Sequence, residues 1–504
     1  MFVITKIRAC GYAEGETGSV SKKGYSKSYS IDMCNGPLAK KLFLFAIPLM
    51  LSGTLQLLFT AMDMIVVGRY AGEESLAAVG SNGALVHLLV GMFAGLSVGS
   101  NIIIARDIGA KREEDISRDV NTSMAVATIG GIGMTIFGLI MSRQLLLWTN
   151  SPTDVIDLAT TYLRIYFLSM PAMMYYNFGA MMLRAQGDTK RPLYYLTFAG
   201  IINVGLNLIL VINFHLGVVG VAVATVVSQY ISAILVVRCM ILEKGPLHFE
   251  PKDMRIDWDI LKRLMHVGLP AGAQGMMFAL SNVVIQSGIN SFNDAVIVAG
   301  SAAASNIEGF VYSAMNSFQQ TASTFASQNY GAGKCKRVDK VLLECVGYIV
   351  ATAIILGYAA YYNGEFLLSI YAPNEPAVVE QGMVRLGYVC KAYFLCGIMD
   401  VIVGVLRSIG FTIGPMITAL VGICGLRIAW VKWIFPLNRV PASLYFSFMV
   451  SWLVTGTIHL VFFLCVRKKT YRKVGYNGEN CNEDSTESLL ETVELKDPEK
   501  ISKK

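Results

Sequence analysis

Charge is what this sequence has least of. Of 504 residues only 15% are Asp, Glu, Lys or Arg, against about a quarter in a soluble globular protein. Hydrophobic residues make up 54% and the mean hydropathy is +0.52, which excludes a water-soluble globule. The ten cysteines are scattered, with no Cys-x-x-Cys pair, so neither a disulfide scaffold nor a zinc site is indicated. Those inside apolar runs, such as Cys390, Cys396 and Cys424, read as small packing residues. No apolar run carries paired carboxylates; an intramembrane prenyl transferase, which needs them for Mg²⁺ and pyrophosphate, is set aside. The net charge of +7 does not mark a nucleic-acid binder, because the basic residues lie between apolar runs rather than in one patch. Residues 1–40 lack the apolar core of a signal peptide. They are polar and rich in Gly, Ser and Lys, and are expected to form a disordered cytoplasmic segment, with Met33 a candidate native start.

What the chain does have is apolar runs of about 20 residues, each long enough to cross a bilayer. Twelve are predicted, over 42–67, 76–105, 120–142, 155–183, 192–214 and 217–242, then 260–290, 296–327, 339–363, 378–407, 410–435 and 443–466. The reading is an all-α polytopic membrane protein. The chain also repeats itself. Arg184-Ala-Gln-Gly-Asp-Thr-Lys-Arg-Pro and Arg407-Ser-Ile-Gly-Phe-Thr-Ile-Gly-Pro share Arg, Gly, Thr and Pro at the same four places. Pro48 and Pro270, and Gly109-Ala110 and Gly331-Ala332, recur at nearly the same separation. Three landmarks in one order point to a duplicated half. The predicted organisation is therefore a six-helix N-lobe (41–242), a charged linker (243–259) with a short interfacial piece around Trp258, a six-helix C-lobe (260–466) and a cytoplasmic tail (467–504). In the duplicated stretch, Gly and Pro end one helix and begin the next, and the Arg is expected to cap helix-end carbonyls near the phosphate level.

Loops after the even spans hold eighteen Lys and Arg, including Arg106, Lys111, Arg184, Lys190, Arg255, Lys334 and Arg407. Loops after the odd spans hold four: Arg69, Arg143, Lys432 and Arg439. The positive-inside rule places the even loops, and with them both termini, in the cytoplasm. Both halves then enter the membrane from the same side, which makes the repeat a parallel one.

Ionisable and amide groups inside spans are functional candidates because lipid makes them costly. Asp63 lies deep in span 1, with Gln56 two turns earlier and Pro48 able to bend the helix; Pro270 holds the equivalent place in span 7. As a carboxylate, Asp63 suits a proton or Na⁺, or else a pair with Arg69, six residues on. Asn203 and Asn207 share a face of span 5, and Thr225 with Ser228 and Gln229 forms a polar patch on span 6. Asn177 and Asp400 occupy equivalent places, each seven residues before the duplicated Arg. In the second half Gln274, Asn282, Glu308, Asn316 and Asp400 are expected to line a cavity, with Arg427 in span 11 as partner of Glu308 or Asp400.

These residues resemble the multidrug and toxic compound extrusion (MATE) family over roughly residues 37–466. The resemblance is carried by Pro48, Asp63, Val67-Gly68, Leu76-Ala77-Ala78-Val79-Gly80, Gly109-Ala110-Lys111, Tyr330-Gly331-Ala332-Gly333 and above all Leu183-Arg184-Ala185-Gln186-Gly187-Asp188-Thr189-Lys190. It implies two six-helix lobes about a central cleft. It also implies export of cationic amphipathic small molecules through the cell membrane against an inward flow of H⁺ or Na⁺, by a monomer without cofactors. In one branch of the family the coupling site would comprise Asp63, Asn177, Asn203, Asn207 and Thr225; Asn207 departs from the Asp common there. In another branch C-lobe acids serve, for which Glu308 and Asp400 are the candidates. The alternative is a lipid-linked precursor flippase of the same wider fold. It requires a strongly basic cavity, and the sequence reading finds little mid-span cation beyond Arg427.

Overall fold

The computed structural model describes residues 30–149, 155–373 and 375–473. The expected disorder of residues 1–29, and most of the predicted cytoplasmic tail (467–504), fall outside them. Fifteen α-helices follow one another: α1 Leu38–Tyr70, α2 Glu73–Gly109, α3 Glu113–Trp148, α4 Ile156–Phe167, α5 Met170–Ala185, α6 Lys190–Leu208, α7 Gly217–Leu242, α8 Trp258–Asn290, α9 Ala295–Gly331, α10 Cys335–Tyr362, α11 Gly364–Tyr371, α12 Pro376–Ser408, α13 Ile413–Ala419, α14 Leu426–Ala429 and α15 Pro441–Lys473. Among the described residues ten helical segments are long and apolar enough to cross a membrane. With α2 and the α4–α5 pair they account for the twelve predicted spans. The chain is a multi-pass membrane protein.

Three spans are less regular than their apolar runs suggest. Span 4 breaks at Leu168 and Ser169 and restarts at Met170, with Pro171 in the first turn of α5. Span 5 ends in a π turn over Ile209–Asn213, and span 11 carries π turns on both sides of α14. Outward faces are apolar, as lipid requires: Ile132, Ile136 and Ile140, one turn apart on α3, are 50%, 54% and 70% exposed.

The lobes exchange arms. Leu38, Leu42, Phe45, Ala46 and Leu49 of α1 belong to the core of the second half, with Phe325, Cys345 and Leu406. Val66 and Val67, at the far end of α1, belong to a core of the first half with Tyr162, Leu163 and Val221. Reciprocally, Leu264 of α8 is packed with Ile103, Met124 and Leu183 of the first half. Pro48 and Pro270 are buried inside these two helices, near where each changes partner. A proline cannot donate to the helix ladder, so each stands where the helix is easiest to bend.

The segment ahead of α1 is not the disordered stretch expected. Met33 is fully buried in the second half's core. Ile31 N–H donates to Gly187 O at 3.2 Å, and Asn329 donates to Met33 O at 3.1 Å. Lys334 donates to Cys34 O at 3.1 Å, and Arg337 donates to Met33 O, Asn35 O and Gly36 O at 3.3, 3.2 and 2.9 Å. Backbone carbonyls paired with fixed basic side chains give order to a polar sequence that composition reads as loose. The linker is also fastened: Leu247 and Phe249 are buried in the first half's core. Trp258 begins α8 itself rather than lying in a separate interfacial piece, with Asp257 as its N-cap.

Candidate functional site

The residues singled out in the first half converge on α1 and α6. Asp63 accepts a hydrogen bond from the Asn207 amide, and Asn207 also donates to Asn203 Oδ1 at 3.3 Å. Asn203 and Asn207 are 4% and 0% exposed. The π turn begins two residues after Asn207, the kind of local widening that re-aims side chains at functional sites. Two features define the chemistry here. Among the described residues no cationic side chain pairs with Asp63; Arg69 instead lies over the Tyr70 ring. And Asn207 Oδ1 is buried without a hydrogen-bond donor, an expensive omission in a low-dielectric site. A carboxylate beside an orphaned amide oxygen is an acceptor-rich pocket with nothing positive in it. Thr225 donates to Val221 O within its own helix at 3.0 Å, and Asn177 is half-buried on α5; no hydrogen bond joins either to Asp63. Tyr162 and Tyr166 of α4, stacked 6.1 Å apart, stand within electrostatic reach of Asp63. Sequence reading passed over them because aromatic residues in a span ordinarily pack.

In the second half the predicted partners are rearranged. Glu308 is buried against Arg385, which donates to both its oxygens at 2.9 and 2.8 Å and to Ser301 at 2.8 Å. Arg427 is the partner of neither Glu308 nor Asp400. It is 1% exposed, donates to Ser451, Ser281 and Asn282 at 3.1, 2.9 and 3.3 Å, and lies 4.0 Å from the centre of the Phe448 ring. Asp400 is hydrogen-bonded to Tyr312 and within electrostatic reach of Arg407, whose guanidinium donates to Gln274. Glu308 and Arg427 therefore stitch the C-lobe bundle rather than line an open cavity. Asn316 is half-buried, while Asn282 and Gln56 are exposed. Arg385 and Lys391, the latter 3.6 Å from the Tyr361 ring centre, lie within the predicted run 378–407. The rule that flagged Arg427 would have flagged both, so the count of mid-span cations was too low.

The duplicated landmarks lie together where the basic loops gather. Gly187 and Gly410 have φ of +102° and +101°, a left-handed turn that favours glycine. It lets Asp188 N–H and Phe411 N–H close back on Leu183 O and Leu406 O, both at 2.9 Å. The arginines do not cap these helix ends; both reach inward, Arg184 to Gln320 at 3.1 Å and Arg407 to Gln274. Between the halves, Arg106 donates to Ser408 O at 2.8 Å and Gln328 to Ala185 O at 2.6 Å. These are the same bond made twice: each donor stands three residues before its copy of the Gly-Ala landmark, and each acceptor follows its copy of the duplicated Arg. At the same crossing α2 and α9 touch at Gly109 and Gly331. A Cβ on Gly109 would stand 1.9 Å from Gln328 O, and one on Gly331 would stand 2.0 Å from Arg106 O. Thr324 donates to Asn101 at 2.9 Å one layer deeper. The basic end is thus closed by a two-fold set of contacts about the repeat axis.

A family sequence profile, MatE, matches the chain twice, over residues 48–209 and 270–431. The chain belongs to the MatE family. Each MatE copy begins on its proline, Pro48 or Pro270, so the two copies keep the separation of the landmarks. Among known sequences the chain is similar to the probable multidrug resistance protein YoeA of Bacillus subtilis, with 27% identity over 77% of this chain and 85% of that protein. YpnP of the same organism, also named a probable multidrug resistance protein, is 27% identical over 79% and 88%. A MATE protein crystallised in complex with MaL6 superposes with a TM-score of 0.81 over 87% of this chain and 98% of that one, at 20% identity. The overall fold is thereby shared.

Proposed function

We propose that this protein is a multidrug efflux transporter of the cell membrane that works as a monomeric antiporter. It exports cationic amphipathic molecules by alternating access in exchange for H⁺ or Na⁺. The observation that carries the coupling is the pocket on α1 and α6: the Asp63 carboxylate, unpaired with any cation, beside the orphaned Asn207 oxygen. Such a pocket is satisfied by a proton on Asp63 or by a small cation held between the two oxygens. Asn203 supports it, and Asn177 and Thr225 would join only after movement of α5 and α7. Because α1 packs on the second half up to and just past Pro48, through Leu49, and on the first half at Val66 and Val67, occupancy at Asp63 can bias its bending. A coupling ion must bind the two conformations unequally, or it shifts nothing. With the basic end taken as cytoplasmic, the present arrangement is one closed toward the cytoplasm. The relatives' names support drugs as cargo.

Efflux of a fluorescent organic cation from proteoliposomes, with a pH or a Na⁺ gradient imposed separately, tests this reading. Drive by either gradient supports antiport and names the ion; drive by neither sinks it. A lipid-linked precursor flippase gains little from the additional buried arginines. Arg385 is neutralised by Glu308 and Arg407 has Asp400 within electrostatic reach, so neither adds an unpaired cation for a pyrophosphate.

A further inference from the structure

Arg184 and Arg407 are repeat mates, yet their charges are met differently. Arg407 has the Asp400 carboxylate within electrostatic reach. The equivalent of Asp400 in the first half is Asn177, a neutral amide. Among the described residues no carboxylate pairs with Arg184. Its terminal nitrogen donates to Gln320 Oε1 at 3.1 Å and meets Met181 Sδ at 3.8 Å, and its Nε is buried with no acceptor. The guanidinium borders a cavity between the lobes, along with Phe45, Leu49, Asn101, Met181 and Gln320. With about 10 Å³ free, the cavity has room for one water in this closed arrangement. An uncompensated guanidinium in such surroundings is costly, and duplication gave the other copy a way to avoid that cost. Moreover, Gln320 lies on α9, across the lobe boundary, so parting the lobes at the basic end withdraws the acceptor from Arg184.

We propose that Arg184 is a binding residue for the carboxylate of acid-bearing amphipathic substrates, engaged while the basic end is open and vacated when Gln320 returns on closure. A planar guanidinium matches a carboxylate with two parallel hydrogen bonds, and Phe45, Leu49 and Met181 supply an apolar wall for the rest of the molecule. Gln320 and the carboxylate compete for one donor group, so the ligand binds the open state and is expelled from the closed one, the unequal binding that alternating access requires. The inference rests on the alternating-access reading and assigns the recognition of a substrate carboxylate to one residue, Arg184.

The test uses two probes that differ by one carboxylate, tetramethylrhodamine free acid and its methyl ester. Binding of each to the purified full-length protein is followed by fluorescence anisotropy, and the acid-to-ester affinity ratio cancels any change in open-state population. Arg184→Gln is expected to lower that ratio at least tenfold, and Arg184→Lys less. Gln320→Ala, which removes only the closed-state acceptor of Arg184, is expected to tighten binding of both probes and leave their ratio unchanged. A ratio unchanged in Arg184→Gln, or one that falls in Gln320→Ala, overturns the proposal. The measurement needs no ion gradient, so it stands or falls separately from antiport.

Discussion

Alanine at Gly109 should open the basic end. The added Cβ would lie 1.9 Å from Gln328 O, far inside the distance any real Cβ tolerates, and the obstacle is backbone rather than a flexible side chain. The helices must separate locally. Overpacking a close-fitted contact costs about 1–3 kcal/mol. The penalty falls only on the closed state, since α2 and α9 no longer touch when the lobes part there. At about 2 kcal/mol the closed-to-open ratio shifts roughly 30-fold. Gly331→Ala meets Arg106 O at 2.0 Å and should act equally. The double variant should give less than the sum, because one separation relieves both clashes. Spin labels at Lys190 and Lys336, both exposed at the basic end, would report the change as a longer-distance population by pulsed electron resonance. An unchanged distribution in a folded, membrane-inserted Gly109→Ala protein would refute the assignment of this crossing as the closure.

Other parts of the structure give their own expectations. Arg385→Met leaves Glu308 buried without its partner and should cost about 3–5 kcal/mol, read as a large fall in thermal midpoint; adding Glu308→Met should restore most of it, and no recovery would contradict the pairing. Arg337→Ala removes three hydrogen bonds to residues 33–36 and should speed maleimide labelling of the half-buried Cys34 several-fold, an unchanged rate arguing against that anchoring. Arg118 and the first N–H groups of α8 hold the Asp257 carboxyl below its ordinary value. A lowered native pKa contributes stability that is present above the usual carboxylate value, about 3.9, and is lost as pH falls through the native one. Amide exchange at Asp259 and Ile260 should therefore accelerate only in that acid range, and the acceleration should vanish in Asp257→Asn.

How far the sequence reaches differs from place to place. Twelve spans and their duplication were readable because lipid imposes length and apolarity on every crossing and because glycine and proline mark turns that a backbone needs. The left-handed φ values at Gly187 and Gly410 are the physical reason those letters recur. What Gly109 and Gly331 touch was not readable, since each meets backbone from the opposite half of the chain. Asp63 and Asn207 are 144 residues apart; their juxtaposition was suggested by family resemblance and not by spacing. The Glu308 partner was misassigned because Arg385 and Arg427 are both cations inside spans, and only the packing of α12 against α9 decides between them. The order of residues 30–37 was missed because composition sees polarity and small residues, whereas the order comes from Asn329, Lys334 and Arg337 of the other half.

The most direct test of the account is gradient-driven efflux by Asp63→Asn in proteoliposomes. This substitution keeps the size and a hydrogen-bonding head but removes the charge that would bind the coupling ion. With the protein folded and inserted at wild-type levels, efflux of an organic cation under either the pH or the Na⁺ gradient should fall to the level of empty liposomes. Efflux at the wild-type rate in that variant would contradict coupling at the α1–α6 pocket.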